Sequence, residues 1–97
     1  MSNANPRTVG IVGLGYVGLP LSGAFEAAGH HVIGFDVDPS KPKKLDQADS
    51  YLPHLGQDLF DRLASSSRFQ PTCDENALAS CDAILVCVPT PVDEDRQ

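Results

Sequence analysis

Gly13, Gly15 and Gly18 stand in the spacing G-x-G-x-x-G, and Asp36 follows downstream. These are the residue types and intervals that can hold a pyrophosphate and the ribose beside it. A glycine at the first position permits a tight turn. One at the second lets the backbone approach a phosphate closely, and one at the third lets a helix pack near a strand. An acid about 20 residues further on is placed to accept hydrogen bonds from ribose hydroxyls. The glycine spacing alone is a weak signal, since a glycine-rich structural turn shares it. Its setting is more specific. Val9-Gly10-Ile11-Val12 reads as an apolar strand running into the turn, and a helical pattern follows Gly18. The start of that helix offers unpaired N–H groups and the positive end of its dipole to an anion.

The elements that must position these groups are legible along the chain. Strand one spans about Thr8 to Val12. The helix after it starts near Gly15 or Tyr16 and ends near Ala28, with Val17, Leu21, Ala24, Phe25 and Ala28 recurring at helical spacing as its apolar face. Pro20 falls near the first turn, where N–H groups lack partners. Gly29 is suited to a left-handed cap. Strand two, His31 to Asp36, brings the acid to its end, and His30 and His31 at its entrance read as structural. Asp38-Pro39-Ser40 resembles an N-cap with proline at the first helical position, starting a helix that carries Lys41, Lys43 and Lys44 and fades near Ala48. Tyr51-Leu52-Pro53 is an irregular link. Gln57 to Ala64 forms a further helix with Leu59, Phe60 and Leu63 inward. Phe69 to Thr72 is a short strand, and Asp74 caps a short helix ending near Ala79. The apolar run Ala83 to Val88 suits a parallel strand buried on both faces.

Strands and helices alternate throughout, which implies an α/β fold: a Rossmann-like, doubly wound parallel sheet with right-handed crossovers and strand order 3-2-1-4. Four strands are fewer than the about six of a complete dinucleotide-binding domain. Residues 1–97 therefore read as the amino-terminal part of such a domain, with 1–7 a leader set apart from the fold.

Composition narrows the partners. A 97-residue chain with 41% hydrophobic and 21% charged residues is ordinary for a small globular unit, and its net charge of −6 argues against nucleic acid and anionic membrane surfaces. No apolar run reaches membrane-spanning length, and no signal-peptide core precedes the first strand. Cys73, Cys81 and Cys87 lack a C-x-x-C spacing, which disfavours a metal site and suits reduced thiols in the cytoplasm. Cys87, inside the apolar run, reads as a packed core thiol. Negative charge from Asp36 and Asp38 beside the ribose favours NAD over NADP. Lys41 either covers the adenosine side of the site or belongs to a solvated lysine cluster. Val88-Pro89-Thr90-Pro91 leaves strand four at the crevice, either to line the middle of the cofactor or as a plain proline-rich turn.

The blocks Gly13-Leu14-Gly15-Tyr16-Val17-Gly18-Leu19-Pro20-Leu21, Gly34-Phe35-Asp36-Val37-Asp38, Val88-Pro89-Thr90-Pro91 and Asp93-Glu94-Asp95 together resemble the amino-terminal NAD-binding domain of the UDP-glucose/GDP-mannose dehydrogenase family. The resemblance implies a nucleotide-sugar 6-dehydrogenase, which oxidises a C6 alcohol to a carboxylate with two NAD, acts on a UDP-sugar, and is a homo-oligomer; the alternative is a stand-alone NAD-binding or sensing module without catalysis. It places Gly13, Leu14, Gly15, Tyr16, Val17 and Gly18 on the pyrophosphate, Asp36 and Val37 at the ribose, Lys41 near the adenosine and Val88 to Pro91 along the cofactor. Ser50-Tyr51-Leu52-Pro53-His54-Leu55 replaces the acid-Pro-Gly-Leu segment of many UDP-glucose members and is more like the UDP-N-acetyl-hexosamine branch. The family's catalytic cysteine, lysine and aspartate lie beyond the first hundred residues. None of the three cysteines matches that nucleophile, so no catalytic residue is assigned.

Overall fold

The computed structural model describes residues 7–52 and 55–87; the expectations for residues 1–6, Pro53, His54, the Val88–Pro91 loop and Asp93–Asp95 lie outside the described residues. The elements are β1 (Thr8–Val12), α1 (Gly18–Ala27), β2 (His31–Phe35), α2 (Ser40–Asp46), α3 (Gln57–Ser65), β3 (Phe69–Thr72), a 3-10 helix (Glu75–Ser80) and β4 (Ala83–Val86). The four strands form one parallel sheet in the expected order β3-β2-β1-β4. The chain adds β2 and β3 to one side of β1, then crosses back to place β4 on the other. The order therefore reverses at β1, and ligands of such sheets bind at that reversal, outside the carboxyl ends of the strands.

Register brings those ends together. Val12 pairs with both Phe35 and Val86, and Phe35 pairs with Thr72. One edge of the sheet thus carries the turn after β1, the turn after β2 and the residue after β4. The ladder runs one step further there: Gly13 N–H donates to the Phe35 carbonyl at 2.8 Å and Cys87 N–H to the Val12 carbonyl at 2.7 Å.

Alternation along β1 assigns its two faces. Ile11 faces α1, while a side chain at Gly10 would run into Cys81 and Leu78 of the 3-10 segment at 2.9 Å. The core consists of Val9, Ile11 and Val32 from the sheet, Leu14 and Leu19 from the turn and α1, Leu45 from α2, Phe60 and Leu63 from α3, and Phe69 from β3.

Four local readings are corrected. α1 begins at Gly18, and its buried residues are Gly18, Leu19, Ser22, Gly23 and Glu26; Val17, Ala24 and Ala28 are exposed, and only Leu21 and Phe25 of the expected face pack against the core. Small residues win that face because they let backbones approach. A Cβ on Gly23 would meet Leu59 of α3 at 2.6 Å and Arg62 at 2.9 Å. Glu26, 4% exposed, accepts from Arg62 Nε at 3.1 Å, Arg68 at 2.9 Å and Ser66 Oγ at 2.8 Å, so its burial is fully compensated.

The second correction is at α2. Pro39 is the cap residue rather than the first helical one, and Asp38 acts one position earlier, its Oδ1 accepting from Ser40 N–H at 3.0 Å and Ser40 Oγ at 2.8 Å. That pair of bonds holds the Asp38 carboxyl below its ordinary pKa. Third, β4 is exposed on both faces, with Val86 69% exposed, because it is the outer strand and no described helix covers it. Fourth, Arg7 belongs to the fold: its N–H donates to His30 Nδ1 at 3.1 Å and its carbonyl accepts from His31 N–H at 2.9 Å. Three further local expectations hold. Gly29 takes a left-handed φ of 96° after α1, Phe60 and Leu63 are buried on α3, and Asp74 Oδ1 caps the 3-10 helix by accepting from Asn76 N–H at 3.0 Å.

Candidate functional site

The turn after β1 is shaped by its glycines. Gly13 adopts φ 101°, which side chains rarely tolerate, and turns the chain out of the sheet. Gly18 opens α1 directly against that turn, where a Cβ would collide with the Gly13 carbonyl oxygen and press on Ile11. Gly15 differs from both, because a Cβ there would meet nothing within 4 Å. The fold itself does not need a glycine at 15. The space in front of it is free for something else, as expected of the position that faces a phosphate. The first turn of α1 carries no acid and no side-chain cap, so its dipole end is left to an incoming anion.

Asp36 ends β2 at the same edge. It is 7% exposed, and its carboxylate is engaged on both oxygens. Oδ2 accepts from Leu14 N–H at 2.9 Å and Oδ1 from Asp38 N–H at 2.9 Å, with Lys41 Nζ 3.6 Å from Oδ2. The acid is therefore not simply solvated. It ties the glycine turn to the end of β2 while keeping lone pairs for a further donor. Lys41, from the first turn of α2, is brought to the acid rather than left among the other lysines.

Together these residues line a cleft of about 780 Å³. Gly13, Leu14, Gly15, Tyr16 and Val17 form one wall, and Asp36, Val37, Asp38 and Lys41 form the other. The expected positions from 13 to 41 are thus brought together, except that Gly18 sits behind the wall and fixes its shape. Leu52 and Cys87 also line the cleft. Neither carried a motif signal. Cys87 was reachable only through topology, because the residue after β4 must lie at the crevice; it packs partly against the core, as expected, and partly faces the cleft. Tyr51 was missed as well. Its hydroxyl donates to the Leu14 carbonyl at 2.7 Å. Burial first, and then the charges of Asp36 and Asp38, push its phenol above its ordinary pKa.

A glycine turn with room for a phosphate, a helix start without an acid and a carboxylate lining the same cleft form a donor and acceptor set that fits a dinucleotide. Comparison with known proteins agrees. Residues 7–97 match the model of the UDP-glucose/GDP-mannose dehydrogenase family, NAD binding domain. The chain belongs to this family. NAD is the cofactor of the domain that the model describes. The chain is 38% identical over 90 residues to the UDP-N-acetyl-D-glucosamine 6-dehydrogenase of Pseudomonas aeruginosa, covering 92% of this chain and 20% of the relative. Its fold matches a UDP-glucose dehydrogenase from Pyrobaculum islandicum with a TM-score of 0.83 at 33% identity, over 94% of this chain and 22% of the other. It matches the GDP-mannose dehydrogenase of Pseudomonas aeruginosa, solved as a ternary complex, with a TM-score of 0.78 at 34% identity, over 90% and 20%. The chain thus spans about a fifth of the length of these relatives. No helix among the described residues is long and apolar enough to cross a membrane, and no described cluster of His, Cys, Asp or Glu could hold a metal ion.

Proposed function

We propose that this chain is the amino-terminal, NAD-holding part of a nucleotide-sugar 6-dehydrogenase that oxidises the C6 alcohol of a UDP-sugar to a carboxylate with two NAD. The observation that carries the reading is the cleft itself: the Gly15 opening and the buried Asp36 carboxylate face one space at the switch point of a family-matched sheet.

In this reading, backbone N–H groups between Gly13 and Gly18 hold the pyrophosphate. Asp36 accepts from the adenosine ribose, while Val37 and Lys41 flank the adenosine. Val88, Pro89, Thr90 and Pro91 run along the middle of the cofactor. Bound NAD supplies the hydride acceptor, and this chain's residues bind and orient it. Asp36 and Asp38 set a preference for NAD, since a 2′-phosphate beside them meets like charge. In this reading the chain is assigned no catalytic residue: exposed Cys73 does not line the cleft, Cys81 is packed under Gly10 with its thiol pKa raised by burial and then by Asp82, and Cys87, which does line the cleft, packs against the core and does not match the family's nucleophile. The relatives' names support a nucleotide sugar as substrate. The 38% identity to a UDP-N-acetyl-D-glucosamine enzyme and the Ser50–Leu55 segment favour a UDP-N-acetyl-hexosamine. A homo-oligomer in the cytoplasm belongs to the same proposal, resting on the family resemblance and on the free cysteines.

The test is turnover by the full-length protein with NAD and UDP-N-acetylglucosamine, UDP-glucose or GDP-mannose, followed by NADH absorbance. Two NADH per sugar are expected with a UDP-sugar. Absence of NADH with all three, from protein shown to bind NAD, overturns the proposal.

A further inference from the structure

Leu14, the residue between the first two glycines, is held at three points. Its N–H donates to Asp36 Oδ2 at 2.9 Å, and its carbonyl accepts from the Tyr51 hydroxyl at 2.7 Å. Its fully buried side chain packs where Gly34 leaves room, 2.9 Å from the position a Cβ there would take. The second of these bonds comes from an unexpected place. Tyr51 lies in the irregular link between α2 and α3, far from the turn in sequence. Its ring is fixed edge-on against the buried Phe60 of α3, with centroids 5.3 Å apart at 77°.

The consequence is geometric. The described peptide bonds are trans, so the Leu14 carbonyl and the Gly15 N–H share one plane and point in opposite directions. Fixing the carbonyl onto Tyr51 therefore fixes the direction of the Gly15 N–H, away from Tyr51. Gly15 lines the cleft and has open space before it, whereas Tyr51 stands outside the cleft and only its neighbour Leu52 reaches the lining.

We infer that Tyr51 is a positioning residue of the nucleotide site: its hydroxyl sets the plane of the Leu14–Gly15 peptide and so holds the Gly15 N–H ready for a phosphate oxygen. The inference rests on the cofactor reading proposed above. It explains why a tyrosine sits in an otherwise irregular link, and it makes that link part of the site rather than a connection between helices. The hydroxyl stays a donor across the neutral range because burial disfavours the phenolate.

The experiment compares ADP with adenosine as probes, in wild type and Tyr51→Phe of the full-length protein, by titration calorimetry and NMR. Phenylalanine keeps the ring against Phe60 and removes only the donor. ADP needs the turn's N–H groups, whereas adenosine needs only the Asp36 side. A net hydrogen bond of ordinary strength predicts that ADP affinity falls about 3- to 10-fold, with adenosine affinity unchanged. Hydrogen exchange of the Leu14 amide in the unliganded protein is expected to rise. Tyr51→Met, which also gives up the ring contact, should lose at least as much ADP affinity. Equal weakening of ADP and adenosine means general loosening and overturns the inference, as does ADP affinity kept by either variant. If wild type binds neither ADP nor NAD, the cofactor reading fails instead. The Leu14 amide then decides the clamp, and unchanged exchange in Tyr51→Phe overturns it.

Discussion

Asp36→Asn separates the two roles that the structure gives this carboxylate. Both oxygens accept backbone N–H groups, from Leu14 and Asp38, and the side chain is 9% exposed. An asparagine keeps one acceptor oxygen and turns its NH₂ toward the other donor. One charge-assisted hydrogen bond, worth about 1.5–3 kcal/mol, is lost, and the other weakens to neutral strength, a further loss of about 1 kcal/mol. The Lys41 contact adds little, at 3.6 Å with its lysine side chain 35% exposed. The sum is about 3 kcal/mol, which in a unit of this size lowers Tm by about 12–24 °C. The second effect is on cofactor choice. Removing one negative charge beside a 2′-phosphate, in a partly solvated cleft, relieves about 1–2 kcal/mol of repulsion. The ratio of NAD to NADP affinity is then expected to fall about 10-fold by titration calorimetry. A variant that melts within 2 °C of wild type refutes the structural role drawn from the two hydrogen bonds. An unchanged NAD/NADP ratio refutes the placement of the ribose.

Three further outcomes follow from single observations. Gly15→Val abolishes ADP and NAD binding while circular dichroism and Tm stay near wild type, because its side chain enters only the cleft; retained affinity would place the phosphates elsewhere. Glu26→Ala destabilises by about 1–3 kcal/mol in denaturant unfolding, since the buried carboxylate's hydrogen bonds to the half-exposed Arg62 and Arg68 are lost; a loss under about 0.5 kcal/mol would show that the arginines simply turn to water. Alkylation of the native protein followed by mass spectrometry modifies exposed Cys73 first and Cys81 more slowly, the Cys81 thiolate being disfavoured by burial and then by Asp82. Equal rates would refute that ordering.

What the sequence determined on its own was the alternation of elements, the strand order and the positions of the glycine turn and Asp36. These are local signals. A glycine that must turn, an acid at a strand end and an apolar run of strand length each follow from a few neighbouring residues, and right-handed crossovers together with the dinucleotide fingerprint after the first strand then point to the order 3-2-1-4. The tertiary structure decided what depends on partners distant in the chain. Helical periodicity pointed to Val17, Ala24 and Ala28 as the buried face of α1, yet the helix turned Gly18, Ser22, Gly23 and Glu26 inward. The choice was made by α3, which approaches closely over Gly23, and by arginines from the α3–β3 region that satisfy Glu26. The apolar run of β4 looked like a strand covered on both faces, but cover is a property of neighbouring elements, and β4 is exposed here. Asp36 was legible as an acid at a strand end but not as the tie that holds Leu14 in place. Tyr51 was not legible as part of the site at all. Its hydroxyl meets Leu14 only because the α2–α3 link folds back over the turn, and no spacing within a sequence records a contact made across 37 residues by tertiary packing.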